Sequence, residues 1–511
     1  MAKNNRKANS IKNALVSTFS NILTLLIGFV AQAVFIKTLG PEYLGLNGLF
    51  SNIISALAIV ELGIGPAIIY SLYKPLSTNN KEEIKSLLNF YKKAYNIIAI
   101  VIFVLGIAIM PVLPFFVNTT LNINIYIVFL LFLFDVICSY LLSYKRSIIQ
   151  ADQQNYIINI VHIGYILILN LIQIGILLTS KNYFLYLLVR VIMRLVENII
   201  ITVIANKKYD YLKDKDIKPL DKTVFADIKQ KVKGLIFHKL GGIVVLSTDN
   251  IIISKMLGTV TVGYYSNYYM IINSLSILFS QIFTSITASV GNLLVKEDSS
   301  KSYNVFKVIM MINFWIYGFA AICLFILIEP FITLWVGSEF ILAKAVLIIL
   351  VLNFYITGMK ASIGVYKDAA GIFWEDRYIP VIESIINIVA SVIFAKFFGL
   401  AGVFLGTLIS SFVVVFFSLP YYVFKKVFNK NILEYYKEYA KYFIVTLLTL
   451  IMVLIITTCF KGLSPFMTLV INAVICILVV NAIFYIVFRK TPEFEYIFNM
   501  IKGILGKFRR K

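Results

Sequence analysis

The feature that most constrains this chain is a succession of long, unbroken apolar stretches. About fourteen can be traced, each near the roughly 20 residues that an α-helix needs to cross a bilayer. They lie near 13–36, 43–69, 90–112, 123–147, 155–179, 183–205, 234–256, 262–293, 307–330, 341–366, 377–397, 401–424, 439–460 and 464–488. Apolar residues run continuously along them and do not alternate, so helices are expected and a transmembrane barrel is not. Composition agrees: 60% of the 511 residues are hydrophobic and 14% charged, where soluble domains carry about 25% charged residues. A water-soluble enzyme is therefore excluded. The 41 Phe and 31 Tyr exclude a disordered chain.

At the amino terminus, Lys3, Arg6 and Lys7 precede an apolar run containing Ala31-Gln32-Ala33, a pattern like a signal-peptide cleavage site. The run is long enough to span and continues past Ala33 to Lys37-Thr-Leu-Gly40, so a retained first helix is expected.

Charge gives the threading. The net charge is +22, and its lysines and arginines collect in alternate connections. These hold Lys74 to Lys93, Lys145 with Arg146, Lys207 to Lys233, Lys296 with Lys301, Lys367 with Arg377, and Lys425 to Lys437. The other connections are nearly bare, as in Pro114–Asn122. Positive loops stay cytoplasmic, so both termini are expected inside. The expected organisation is an amino-terminal lobe over 1–205 with six spans and a cytoplasmic linker over 206–233. A carboxy-terminal lobe over 234–428, two further spans over 429–490 and a basic amphipathic tail over 491–511 follow. Val224, Phe225, Ile228 and Val232 have helical spacing that suits a membrane surface, as do Phe494, Ile497, Phe498, Ile501, Leu505 and Phe508 in the tail.

Cys138, Cys323, Cys459 and Cys476 stand singly in apolar runs, and His162 and His238 lie far apart. Small buried hydrophobes are the expected role of the cysteines, with no disulfide framework, metal centre or cofactor.

The chain repeats at a shift of about 218 residues. Lys37-Thr-Leu-Gly40 with Gly45 matches Lys255-Met-Leu-Gly258 with Gly263; Pro111 matches Pro330, and Asp135 matches Asn353. Six crossings separate equivalent spans, so the halves share an orientation, as in transporters built from parallel repeats around a midplane cavity.

Several ionisable residues fall where hydrocarbon is expected, at about 2.5–3.5 kcal/mol each on insertion scales. Arg190, Arg194 and Glu197 share one face of the sixth span; His238, Lys239 and Asp249 lie in the seventh; Glu61, Asp135, Lys360 and Glu383 complete the set. Two readings stand. These charges pair with one another structurally, or the surplus cations bind an anion, for which arginine's forked guanidinium suits phosphate. Arg190, Arg194, Lys239 and Lys360 are the candidate substrate-binding cations, the two lysines having headgroup snorkelling as their alternative. Glu61, Asp135, Glu197 and Asp249 are candidate coupling or ion-pair acids. Gly63, Gly65 and Pro66 interrupt the second span, as a hinge or as close packing.

The whole chain resembles the Wzx-type polysaccharide flippases of the multidrug/oligosaccharidyl-lipid/polysaccharide (MOP) superfamily. The resemblance rests on the fourteen-span plan, the Lys-x-Leu-Gly-x4-Gly repeats, Asp249-Asn250-Ile-Ile-Ile-Ser254 and Gly399-Leu-Ala-Gly402-Val-Phe-Leu-Gly406-Thr. It implies an all-α, polytopic, MATE-like V of two pseudo-symmetric six-helix lobes plus two carboxy-terminal helices. It also implies a transporter, not an enzyme, that moves undecaprenyl-diphosphate-linked oligosaccharide from inner to outer leaflet for surface polysaccharide assembly, by alternating access through a cationic cavity. Membrane lipids, a polysaccharide polymerase and glycosyltransferases are the candidate partners, nucleic acid is not, and a monomer is expected. The alternatives are a lipid II-type peptidoglycan-precursor flippase and a cation-coupled drug antiporter. A polytopic glycosyltransferase is disfavoured, because the outward loops are short and nearly uncharged.

Overall fold

A computed structural model describes residues 2–61, 64–214, 217–226, 228–229, 248–460 and 462–509, and among them helices joined by turns occur without any strand. The chain divides into two compact units, Met1–Gly263 and Tyr264–Lys511.

In the first unit, helix α1 runs over Ala2–Leu39. Its apolar part, Leu15–Leu39, leaves Leu15, Phe19, Ile22, Leu26 and Val30 exposed at three- to four-residue spacing, a stripe suited to lipid. Then follow α2 (Pro41–Leu57), a 3-10 turn (Ala58–Glu61), α3 (Ile64–Ser77) and α4 (Lys81–Ile109). After these come α5 (Ile125–Tyr140), α6 (Tyr144–Ala151), α7 (Asn155–Thr179) and α8 (Tyr183–Lys208). Asparagines start three of these helices: Asn80, Asn124 and Asn182 each accept from a backbone N–H of the first turn.

Among the described residues, nine helices are long and apolar enough to cross a membrane, or ten if the pair α5 and α6, bent by 46°, is one span. The difference from the fourteen expected has identifiable causes. The second stretch is divided among α2, the 3-10 turn and α3, each shorter than a crossing. The sixth, α8, is 26 residues long but carries Arg190, Arg194 and Glu197. Most of the seventh lies in 231–247, outside the described residues. The eleventh and twelfth form one continuous helical stretch, Ile379–Phe428, yet the chain reverses within it at Gly399, φ +57° and ψ −132°.

That reversal explains the Gly-x2-Gly-x3-Gly pattern from Gly399. A Cβ on Gly402 would sit 2.0 Å from the Phe394 carbonyl oxygen, and one on Gly406 would sit 2.3 Å from the Ser391 nitrogen. Only glycine lets the two arms close to backbone contact. Ser391 Oγ then donates to the Val403 carbonyl at 2.9 Å and Asn387 Nδ2 to Thr407 Oγ1 at 3.0 Å.

The repeat also has a structural meaning. Gly40 and Gly258 both end a helical stretch with φ near +90°. The helix beginning at Pro41 meets the one beginning at Thr259: a Cβ on Gly45 would lie 1.8 Å from the Thr259 carbonyl oxygen, and one on Gly263 2.0 Å from that of Pro41. Residues 118–120 bridge the two helix starts: Glu42 accepts from Thr119 Oγ1 (2.7 Å) and from Thr120 N (2.6 Å) and Oγ1 (2.9 Å), and Thr259 Oγ1 donates to the Asn118 carbonyl at 2.8 Å. The fourth and tenth stretches each break, after Tyr140 and at Lys360. Both breaks free backbone carbonyls that would be costly in lipid, and an asparagine caps each. Asn198 Nδ2 donates to Cys138 O (2.7 Å) and Leu141 O (2.9 Å), and Asn313 Nδ2 to Gly358 O (3.2 Å) and Met359 O (2.8 Å).

In the second unit, Ser299–Trp335 is the most enclosed long helix. Phe306 packs edge-on against Tyr366 and Phe424, and Phe314 stacks on Tyr442 at 4.4 Å. The tail helix Pro492–Arg509 is anchored at its start: Phe494 stacks on Trp315, and Glu493 pairs with Lys307 at 3.1 Å. In the segment after α8, Phe225 packs edge-on against Phe90 at 5.6 Å, while Val232 lies outside the described residues.

Candidate functional site: a guanidinium–carboxylate network

Helix α8 places Arg190, Arg194 and Glu197 one turn apart on a single face. Opposite stands Asp135 on α5, its side chain 5% exposed. Arg190 grips it through Nη2 at 2.7 Å and Nε at 2.8 Å, and Arg194 Nε reaches the other oxygen at 3.4 Å. Arg194 Nη1 also reaches Glu197 Oε2 at 3.2 Å. The Glu197 side chain is wholly enclosed, and it receives two further groups: Arg146 Nη2 at 3.1 Å and His162 Nδ1 at 2.9 Å. Arg146 additionally donates to Asn198 Oδ1 at 2.8 Å, the same asparagine that caps the α5 break. Aromatic faces back the arginines: Arg190 lies 4.9 Å above Phe132, and Arg194 4.9 Å above Tyr165.

The two carboxylates are enclosed, whereas Arg146, Arg190 and Arg194 keep 24–28% of their side-chain surface exposed. The ion pairs of the structural reading form, and three guanidiniums stand against two carboxylates, one more cation than the acids balance. A network of this kind has fixed donors and partial access, so an incoming phosphate can share the guanidiniums bidentately.

The sequence places Arg190, Arg194 and Glu197 on one face but does not join Asp135 to them, and it gives Arg146 and His162 no part in the network. Arg146 had been counted as a loop cation. The break at Leu141–Ser143, where Leu142 has φ +66°, bends α6 by 46° from α5, and Arg146 on α6 meets Glu197. For His162, the available signal was an imidazole within an apolar span.

The other candidates lie elsewhere. Glu61, on the 3-10 turn, accepts from Tyr95 Oη at 2.5 Å and Tyr140 Oη at 3.1 Å. Gly65 packs beside it, where a Cβ would lie 2.8 Å from Tyr95 Oη. Pro66 stands in the first turn of α3, where proline is tolerated. Lys360 sits at the break of the tenth stretch and donates to Ser411 Oγ at 2.6 Å. It lines a cavity of about 320 Å³ with Lys367, Asp368, Asp376 and Glu383. Three carboxylates and two lysines leave that cavity without surplus positive charge. Asp249 is half-buried in the helical stretch 248–257. Lys239 and Gly63 lie outside the described residues.

Fold and site together define a multi-pass helical membrane protein. Among solved structures, the lipid II flippase MurJ in an inward closed conformation matches with a TM-score of 0.66 at 16% identity, covering 94% of this chain and 99% of that one. An inward-facing multidrug resistance transporter of the MATE family, in the MOP superfamily, gives 0.56 at 14% identity over 80% and 97%. The Vibrio cholerae MATE transporter VcmN, as a mutant, gives 0.55 at 12% identity over 84% and 99%. At these identities the likeness is one of fold. No curated protein matches the sequence. Residues 10–290, more than half of the chain, match the family described as "Polysaccharide biosynthesis protein". The chain belongs to that family.

Proposed function

We propose that this protein flips an undecaprenyl-diphosphate-linked oligosaccharide from the inner to the outer leaflet of a bacterial cytoplasmic membrane, supplying surface polysaccharide assembly. The observation that carries the reading is the surplus charge of the Arg146–Arg190–Arg194 network over Asp135 and Glu197. A lipid diphosphate brings about two negative charges that hydrocarbon excludes. Partly exposed guanidiniums replace its water, the prenyl chain stays in lipid, and alternating access carries the head across. An inside-negative potential favours outward movement of an anion by roughly 2.3 kcal/mol per charge per 100 mV. In this reading both termini are cytoplasmic and Lys239 is a further substrate-binding cation. Glu61 and Asp249 are the acids left for proton or cation coupling, and the break at Gly63, Gly65 and Pro66 is the hinge.

The likeness to a lipid II flippase favours a second reading, in which a peptidoglycan precursor takes the same diphosphate site. Reconstitution separates the two. Vesicles containing the purified protein are loaded with either labelled lipid, and accessibility of the head group is followed in each leaflet. Translocation of the polysaccharide repeat unit, lost in Arg190→Ala/Arg194→Ala, is expected. Normal translocation by that double variant overturns the cationic-site assignment, and exclusive handling of lipid II moves the protein to the second reading.

A further inference from the structure

A second cationic pocket, separate from the network, lies in the first unit between the start of α4, the start of α6 and the segment after α8. It encloses about 330 Å³ and is lined by Lys85, Lys92, Tyr144, Lys145, Lys213 and Asp214, with Leu88, Asn89, Leu212 and Ile217. Among the described residues of its lining, four lysines stand against one carboxylate.

Two of these lysines are already engaged. Lys85 pairs with Asp214 at 2.7 Å, and Lys213 with Asp210 at 2.9 Å. The others are not neutralised: among the described residues, neither Lys92 nor Lys145 meets a carboxylate. They flank one ring, with their ammoniums 6.0 Å and 5.4 Å from the Tyr144 centroid. Lys145 is only 6% exposed, and it donates to a neutral acceptor, Asn206 Oδ1, at 2.8 Å. An ammonium held this deep without a counter-charge is unfavourable unless an anion joins it.

The pocket wall is held in place. Ser86 Oγ donates to the Lys218 carbonyl at 2.7 Å, and Lys218 pairs with Glu82 at 2.8 Å, so the segment after α8 is tied across the start of α4. Lys145 and its neighbour Arg146 diverge, one to Asn206 and the other to Asn198, eight residues apart on α8. At 1.5 Å per residue the pocket stands about 12 Å along α8 from the network. Its lysines belong to the connections that charge bias assigns to the cytoplasm.

We propose that this pocket binds a phosphate-bearing lipid headgroup at the inner leaflet. Basic pockets on the cytoplasmic side of helix bundles take anionic lipid heads, and the apolar wall of Leu88, Leu212 and Ile217 suits the start of an acyl or prenyl chain. The site stands on its own geometry and does not require the transport reading. Two lipids carry the required chemistry: an anionic phospholipid of the bulk membrane, and a polyprenyl diphosphate.

The test is native mass spectrometry of the purified full chain titrated with dioctanoyl-phosphatidylglycerol, farnesyl diphosphate and, as a control, dioctanoyl-phosphatidylcholine. Wild type is compared with Lys92→Gln/Lys145→Gln and with Lys92→Gln alone, whose exposed position leaves folding intact. Removing both lysines is expected to weaken the phosphate-bearing ligand about thirty-fold and to leave phosphatidylcholine unchanged. Stronger retention of phosphatidylglycerol identifies the bulk lipid as occupant; stronger retention of farnesyl diphosphate identifies the prenyl diphosphate. Equal affinities in wild type and both variants, or equal binding of phosphatidylcholine, overturns the proposal. Because the readout is binding to variants that leave Arg190 and Arg194 in place, its failure is distinguishable from failure of the transport reading.

Discussion

Glu197→Gln is the most informative perturbation of the network. The change keeps shape and removes one negative charge from a fully enclosed side chain that meets Arg146 at 3.1 Å, Arg194 at 3.2 Å and His162 at 2.9 Å. At 3.1 Å and an effective dielectric of ~20, the gross attraction of Arg146 for Glu197 is about 5 kcal/mol. Desolvation offsets much of that, and removing one partner of a buried pair costs about 3–5 kcal/mol in total. The guanidiniums keep about a quarter of their surface in contact with solvent, so the low end, about 3 kcal/mol, applies here. For a unit of this size that corresponds to a fall in Tm of about 6–12 °C, read by fluorescence melting of the purified protein in detergent. Arg146→Gln completes a cycle. The double variant restores the original charge balance, so its loss should be smaller than the sum of the singles by about 1–3 kcal/mol. Additive losses, to within about 0.5 kcal/mol, would return Arg146 to the role of a loop cation and refute the network as described.

Gly45→Ala places a methyl 1.8 Å from the Thr259 carbonyl oxygen; the crossing must open, at about 1–3 kcal/mol, and an unchanged Tm would show that this contact does not form. Asn313→Ala and Asn198→Ala each strip the donor from two carbonyls at a helix break, so each should destabilise by about 1–3 kcal/mol; hydrogen exchange at 138–144 and 358–362 should rise in the matching variant only. Glu61→Gln weakens the acceptor for Tyr95 and Tyr140; if Glu61 couples transport to protons, the pH dependence of translocation should flatten while binding of the lipid head persists, and an unaltered pH profile removes Glu61 from coupling.

Much of the helical plan was legible because bilayer thickness forces a length on every crossing. The repeat was legible too, since Gly40, Gly45, Gly258 and Gly263 answer a steric demand that no other residue meets. The breaks were harder to see. Neither Leu141–Ser143 nor Lys360 carries a proline or glycine at the point of interruption; the partners that make the breaks tolerable, Asn198 and Asn313, lie about 45 residues or more away. For the same reason Arg146 could not be placed. Its role depends on a turn whose stability comes from another helix. The closing of the eleventh and twelfth stretches, by contrast, is written locally, in Gly399, Gly402 and Gly406.

The central claim is that a phosphate head is recognised by surplus guanidinium charge in the first unit. Leaflet-resolved translocation by the reconstituted wild-type protein tests it most directly, comparing a labelled undecaprenyl-diphosphate oligosaccharide with a neutral glycolipid of the same prenyl chain and sugar. Rapid movement of the diphosphate lipid with the neutral lipid left behind is the expected result; equal rates for both would contradict it.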